Sequence, residues 1–181
     1  MAEFGYYVAR DLQRHADGHR ITPLKALTLL AANPGARAAL LLRLQENSPL
    51  SRWVGWRKII RQVTLLLTGA DFVPGCLIGP GLLMQHPNGI VISGRAVIGD
   101  DATILQQVTV GETIGADAQA PRAPTIGARA LLSAGARILG DIELGDDVVV
   151  GANAVVLISV ETGGVAVGVP ARVVKNRLTA E

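Results

Sequence analysis

PTIGARALLSAGARILGDIELGDDVVVGANAVVL, residues 124–157, sets an aliphatic residue at every sixth position: Ile126, Leu132, Ile138, Leu144, Val150 and Val156. Four residues after each of the first five comes a second small or aliphatic residue, Ala130, Ala136, Ile142, Val148 and Ala154. A small residue commonly follows the aliphatic one, as at Gly127, Ser133, Gly145 and Gly151. A period of six matches neither the 3.6-residue repeat of a helix nor the two-residue alternation of a strand. A sustained fixed period marks a repeat architecture. It fits a parallel coil in which each hexapeptide makes one short flat side and one turn. The large aliphatic points inward, and small residues take the corners where the backbone is crowded. Each coil buries its apolar side only by stacking on the next.

Upstream, Ile92, Ile98, Ile104 and Val110 repeat the pattern, with Ala96, Ala102 and Val108 four places on. Sixteen residues separate Val110 from Ile126, which is not a multiple of six. Residues 111–125, GETIGADAQAPRAPT, therefore include an excursion from the coil, and their Gly, Ala and Pro content suits an extruded loop. Loops placed by a rigid scaffold often carry function.

Residues 1–70 read as helical. Two apolar stretches, Leu24–Ala32 and Ala36–Leu44, flank Asn33-Pro34-Gly35, a helix stop and turn. Arg52–Leu67 reads as a further helix with Trp53 and Trp56 on one face, for core or subunit packing. His15 and His19, at i,i+4 spacing, read as a polar helix face, since two ligands make a sparse metal site.

Composition narrows the class. Of 181 residues 49% are hydrophobic but only 3% aromatic, so the core is built from Val, Ile, Leu and Ala. Net charge is +2 and no basic run is interleaved with aromatics, which argues against a nucleic-acid partner. No stretch has the ~18 consecutive apolar residues of a membrane span, and the first residues do not resemble a signal peptide. A cytoplasmic protein is expected. The single cysteine, Cys76, excludes an internal disulfide and reads as a small packed thiol.

HPNGIVISGRAVIGDDATILQQVTVG (86–111), the repeat quoted above and GVPARVV (168–174) together resemble the hexapeptide-repeat acyltransferases, and within them the serine acetyltransferases. The resemblance implies a mainly β chain: a left-handed parallel β-helix over 71–181 with a short α-helical region over 1–70. It also implies a homotrimer with sites between subunits, acetyl-CoA as donor co-substrate, a small-molecule acceptor and no metal.

It further implies a catalytic role for His86 as general base, with Asp71, fifteen residues earlier, orienting the imidazole. By the same resemblance Gly111, Ala134, Gly135 and Ala152 bind the donor through backbone groups, and the basic residues Arg172, Lys175 and Arg177 either meet its phosphates or remain solvated. Three positions depart from the family pattern. Gln85 stands where an aspartate usually precedes the histidine, Arg122-Ala123-Pro124 replaces Arg-His-Pro, and Gly111-Glu112-Thr113 replaces Gly-Gly-Thr. Arg122 is then the remaining partner for an acceptor carboxylate, with Gln85 beside it in the acceptor site, unless it is simply a solvent-facing loop residue. The implied activity is acetyl transfer to a hydroxyl, that of L-serine by family default. The alternatives are a sugar or specialised-metabolite hydroxyl, and a non-catalytic trimeric scaffold.

Overall fold

The computed structural model describes residues 2–19, 21–112 and 122–176. Its C-terminal part is a left-handed parallel β-helix whose three sides are short sheets. The first side stacks β1 (Asp71–Phe72), β3 (Val91–Ile92), β6 (Thr109–Gly111), β9 (Arg137–Leu139) and β12 (Val155–Val156). The second stacks β2 (Leu77–Ile78), β4 (Val97–Ile98), β7 (Thr125–Ile126) and β10 (Glu143–Leu144). The third stacks β5 (Thr103–Ile104), β8 (Leu131–Leu132), β11 (Val149–Val150) and β13 (Gly164–Gly168), on which β14 (Ala171–Asn176) folds back antiparallel.

Register turns the period of six into columns. Phe72, Ile92, Val110, Ile138 and Val156 pair in line down the first side, and each is fully buried. All ten aliphatics of the two periodic runs are at most 2% exposed. Burying a side chain of this size contributes about 1.5–3 kcal/mol, so the columns supply the main drive to fold.

The corners need left-handed backbone. Between the second and third sides it occurs at Gly81, Asp101, Arg129 and Asp147; between the third and first, at Gly89, Gln107, Gly135 and Asn153. Acidic residues tolerate that conformation better than most and here also gain partners. Asp101 takes both oxygens to Arg10 at 2.6 and 2.8 Å, and Asp147 accepts from Arg129 at 2.9 and 2.8 Å. The acidic pairs Asp100-Asp101 and Asp146-Asp147 thus serve the turns.

Among the described residues four α-helices and a short 3-10 helix (Pro49–Arg52) precede the β-helix: α1 (Ala2–His15), α2 (Pro23–Ala32), α3 (Pro34–Glu46) and α4 (Val54–Thr68). The turn between α2 and α3 is shorter than the Asn-Pro-Gly tripeptide suggested. Asn33 ends α2 and caps α3, its Oδ1 accepting from the Ala36 N–H at 3.0 Å, and Pro34 is already helical. Gly35 therefore lies inside α3. Its purpose is close approach: a β-carbon there would sit 1.5 Å from the Met84 carbonyl oxygen. Glycine to alanine in a helix normally gains about 1 kcal/mol. Here the sign reverses, and Gly35→Ala is expected to cost about 3 kcal/mol as overpacking, read as a lower denaturation midpoint.

The first coil has no coil before it, so its backbone groups lack ladder partners on one side. Side chains of α1 and α3 supply them. The buried pair Asp11–Arg43 is central, with a 2.7 Å bond and side chains only 2% and 1% exposed. Asp11 also accepts from the N–H groups of Gly81 and Leu82, and Arg43 donates to the carbonyls of Ile78 and Gly79.

His15 does not lie on a polar helix face. It is buried, and His19 lies beyond the end of α1, so the two histidines do not share one. Its Nδ1 pairs with the Asp11 carbonyl at 2.8 Å, which leaves Nε2 to accept from the Met84 N–H at 3.2 Å. Trp56 donates from Nε1 to the Leu44 carbonyl at 2.9 Å, whereas Trp53 caps α4 and is 73% exposed, outside this chain's core. Among the described residues no helix is long and apolar enough to cross a membrane.

Candidate active site

His86 owes its position to an irregularity in the coil. Eight residues separate Leu83 from Val91, and six separate their partners Thr103 and Thr109. The first coil therefore carries two extra residues within Gln85–Gly89. The backbone bulges outward there, and Gln85 and His86 are both exposed while Met84 and Pro87 on either side are buried. Among the described residues none hydrogen-bonds to the His86 side chain. Both neighbours of the bulge are fixed. Met84 is held by His15, and Gly69, the left-handed cap of α4, packs so tightly on Asn88 that a β-carbon there would lie 2.6 Å from Asn88 Nδ2. His86 opens into a groove of about 540 Å³, with Leu65–Gly69 at the end of α4 on one wall and Arg37 from α3 on another.

A second irregularity sits at the other end of the first side. Thr109 and its partner Arg137 are twenty-eight residues apart, whereas Val91 and Thr109 are eighteen apart. The sequence between β6 and β7 is thus ten residues longer than the register of one coil accounts for, and the surplus falls in the segment read as an excursion. Residues 113–121, most of that loop, lie outside the described residues.

The residues expected to bind the donor divide between these two ends. Ala134, Gly135 and Ala152 share the corner of His86, because backbone bonds run down it without a break. Gln107 N–H donates to Asn88 at 3.0 Å, Gly135 N–H to Gln106 at 2.9 Å, and Asn153 N–H to Ala134 at 2.9 Å. Gly135 suits this position: its φ is +73°, and a β-carbon would lie 2.1 Å from the Asn153 side-chain Oδ1, which would have to move aside. Beyond Gln106 and Gln107 the corner thus becomes a ledge of small residues, coils spaced ~4.8 Å apart, leading away from His86. Gly111 lies across the first side, in a depression of about 550 Å³ with Glu112. Glu112 accepts from Ser93 Oγ at 2.6 Å and from Arg95 at 3.1 Å.

Asp71 and His86 are not joined within this chain. The Asp71 carboxylate goes to Arg61 of α4, through Nε at 2.5 Å and Nη2 at 2.7 Å. Arg61 is the residue the sequence did not single out, since nothing in a helical pattern marks a partner ten residues ahead. Arg122 is 70% exposed and pairs with Asp141 at 2.9 Å, a solvated contact worth about 0–1 kcal/mol and easily exchanged. Ala123 packs against the apolar core. Of the C-terminal basic residues, Arg172 and Lys175 are exposed on β14, and Arg177 lies outside the described residues.

Cys76 is buried behind the second side, and burial pushes its thiol up to about 12. A thiol so buried and so weakly acidic is a poor nucleophile, so it is no acyl carrier. Among the described residues no group of three or more His, Cys, Asp or Glu is placed to hold a metal.

Comparison with known proteins adds relatives to this geometry. Residues 123–157 match the family described as bacterial transferase hexapeptide (six repeats). The serine acetyltransferase of Helicobacter pylori (strain J99) is 40% identical over 146 residues, 81% of this chain and 84% of that one. The crystal structure of Neisseria gonorrhoeae serine acetyltransferase in complex with serine matches with a TM-score of 0.81 at 28% identity, over 95% of this chain and 69% of that one. A serine acetyltransferase in complex with CoA matches with a TM-score of 0.80 at 30% identity, over 96% and 70% of the two chains.

Proposed function

Because this chain belongs to the serine acetyltransferase family of hexapeptide-repeat enzymes, we propose that it transfers the acetyl group of acetyl-CoA to the hydroxyl of L-serine, with His86 as general base. The observation that carries the assignment of roles is the shared corner: among the described residues His86 projects from the only coil lengthened there, and the same corner continues past Gln106 and Gln107 to the small residues Ala134, Gly135 and Ala152.

The chemistry follows from those positions. An imidazole nitrogen of His86 takes the proton of the serine hydroxyl as its oxygen attacks the thioester carbonyl carbon. The tetrahedral intermediate collapses, the C–S bond breaks, and the departing thiolate recovers the proton from the imidazolium. General-base help of this kind contributes about 10²–10⁴-fold. Transfer is direct, since Cys76 is sealed in the interior. The ledge lets an extended, amide-bearing donor arm lie against backbone groups, and Gly111 bounds the far end of the same side. The acetyl-CoA is consumed as substrate, and no metal enters the scheme.

A homotrimer belongs to this reading. Its support is that His86 and Arg122 are exposed on different corners of one chain, so that a neighbouring prism completes the pocket. A cytoplasmic setting belongs to it as well, supported by the single cysteine, which is a buried free thiol.

One observation favours a second acceptor, a neutral sugar or specialised-metabolite hydroxyl. Gln85 offers no charge to the serine ammonium, and Ala123 offers no hydrogen bond to its carboxylate. A charge-assisted hydrogen bond is worth about 1.5–3 kcal/mol. Gln85→Asp combined with Ala123→His is therefore expected to raise kcat/KM for serine by about tenfold or more and to lower it for neutral acceptors. Efficient serine turnover by the native chain, saturating at low millimolar concentration, removes the second acceptor. Turnover of neutral hydroxyls alone replaces serine.

A further inference from the structure

We infer that Arg61 is a positioning residue for the transfer reaction: its guanidinium fixes the Asp71 carboxylate in one orientation and, through that carboxylate, sets the proton affinity of His86. The inference rests on the proposed role of His86 as general base and on the neighbouring course of the two segments, Asp71 N–H donating to the Ile90 carbonyl at 2.8 Å and Gly89 N–H to the Gly69 carbonyl at 2.9 Å; the pairing of Asp71 with the imidazole is part of the inference.

The fork geometry carries it. Two nitrogens of Arg61 meet the two oxygens of Asp71 at 2.5 and 2.7 Å, which defines the plane of the carboxylate as well as its place. A carboxylate offers about four lone-pair directions. The fork takes two and leaves two for an imidazole N–H. The pair is half-shielded, with side chains 31% and 20% exposed, and spans the junction between α4 and β1 on which the His86 groove is built. The hydrogen bonds to Asp71 in turn hold the Arg61 proton more tightly than usual.

The electrostatic consequence has a definite sign. An unopposed carboxylate beside His86 stabilises the imidazolium and raises its pKa, whereas a cation on that carboxylate works against it. Removing the Arg61 charge therefore favours the imidazolium at the expense of the form that can accept a proton. Other charges near the site are engaged elsewhere. Arg37 shares the His86 groove but donates to the carbonyls of Leu30 and Ala31 at the end of α2. Arg95 and Glu112, farther along the first side, pair with each other. Among the described residues Arg61 is the cation paired with Asp71.

The test is the pH profile of kcat and kcat/KM for the full chain, followed by release of free CoA with acetyl-CoA and serine. Arg61→Gln is expected to lower kcat about tenfold with little change in KM for acetyl-CoA. Its acid limb should move to higher pH by about half to one unit. Arg61→Lys keeps the charge but loses the fork, so its acid limb should stay in place while kcat falls by a smaller factor. In an Asp71→Asn background, Arg61→Gln should move neither quantity. The role is overturned if Arg61→Gln leaves the limb in place, if Arg61→Lys moves it as far as glutamine does, or if the shift survives in Asp71→Asn, which would mean that Arg61 acts on His86 directly. Should Arg61→Gln fail to fold, the Arg61→Lys profile decides. His86→Ala separates the two levels. Retained activity there removes the catalytic reading, whereas an inactive His86→Ala beside a native-like Arg61→Gln removes Arg61 alone.

Discussion

His86→Ala is expected to lower acetyl transfer by about two to four orders of magnitude, the range that removal of a general base produces. Acetyl-CoA affinity should change little, because the ledge proposed to receive the donor offers it backbone groups of Ala134, Gly135 and Ala152. The loss cannot be confused with unfolding. His86 is exposed and makes no hydrogen bond to a described residue, and substitutions at such positions usually alter stability by no more than ~0.5 kcal/mol. Single-turnover rates alongside acetyl-CoA titration separate the two quantities. Near-native turnover with the native acceptor would make His86 a structural residue and end the proposed mechanism.

The largest effect on stability is expected from Asp11→Ala, at about 3–5 kcal/mol. The substitution strands the Arg43 guanidinium, which is 1% exposed, and removes the acceptor used by the N–H groups of Gly81 and Leu82. With total stabilities of about 5–15 kcal/mol, much of the folded population is at risk. Chemical denaturation should show a lower midpoint at an unchanged slope. A buried ion pair can often be exchanged for apolar residues without loss, but here Asp11→Leu with Arg43→Met should recover only part of the deficit. The carbonyls of Ile78 and Gly79, served by Arg43, would still lack donors. Full recovery by the double variant would show that the pair matters only to itself.

What was legible in the sequence follows from which forces are local. The columns from Ile92 to Val156 were legible because each coil repeats the same burial, so periodicity alone marks the inward positions. The ten surplus residues between β6 and β7 were legible as a break in phase. The bulge at Gln85–Gly89 was not, because two additional residues among Pro, Asn and Gly leave no periodic trace. Asp11, His15 and Arg43 were read past for a different reason. Polar residues on helices usually face water, and these are drawn inside by unpaired backbone groups of a coil distant in sequence. Gly35 reads locally as a turn residue, although its role is set by a carbonyl 49 residues away. Arg61 and the separation of Asp71 from His86 likewise depend on how α4 lies against β1, which no local pattern encodes.

The capping of the first coil by Asp11, His15 and Arg43 bears on solubility during synthesis and storage. A bare coil end is a template: its free amides and carbonyls match those of any other strand of the same pitch, including the end of a second β-helix. Stacked end to end, such prisms would grow into filaments of the cross-β kind. The α1 and α3 side chains occupy those groups with a guanidinium, an imidazole and a carboxylate that no incoming strand can displace without leaving buried charge unpaired. The helical segment thus works as a chain terminator for polymerisation, and a β-helix stripped of it would be left with an adhesive face.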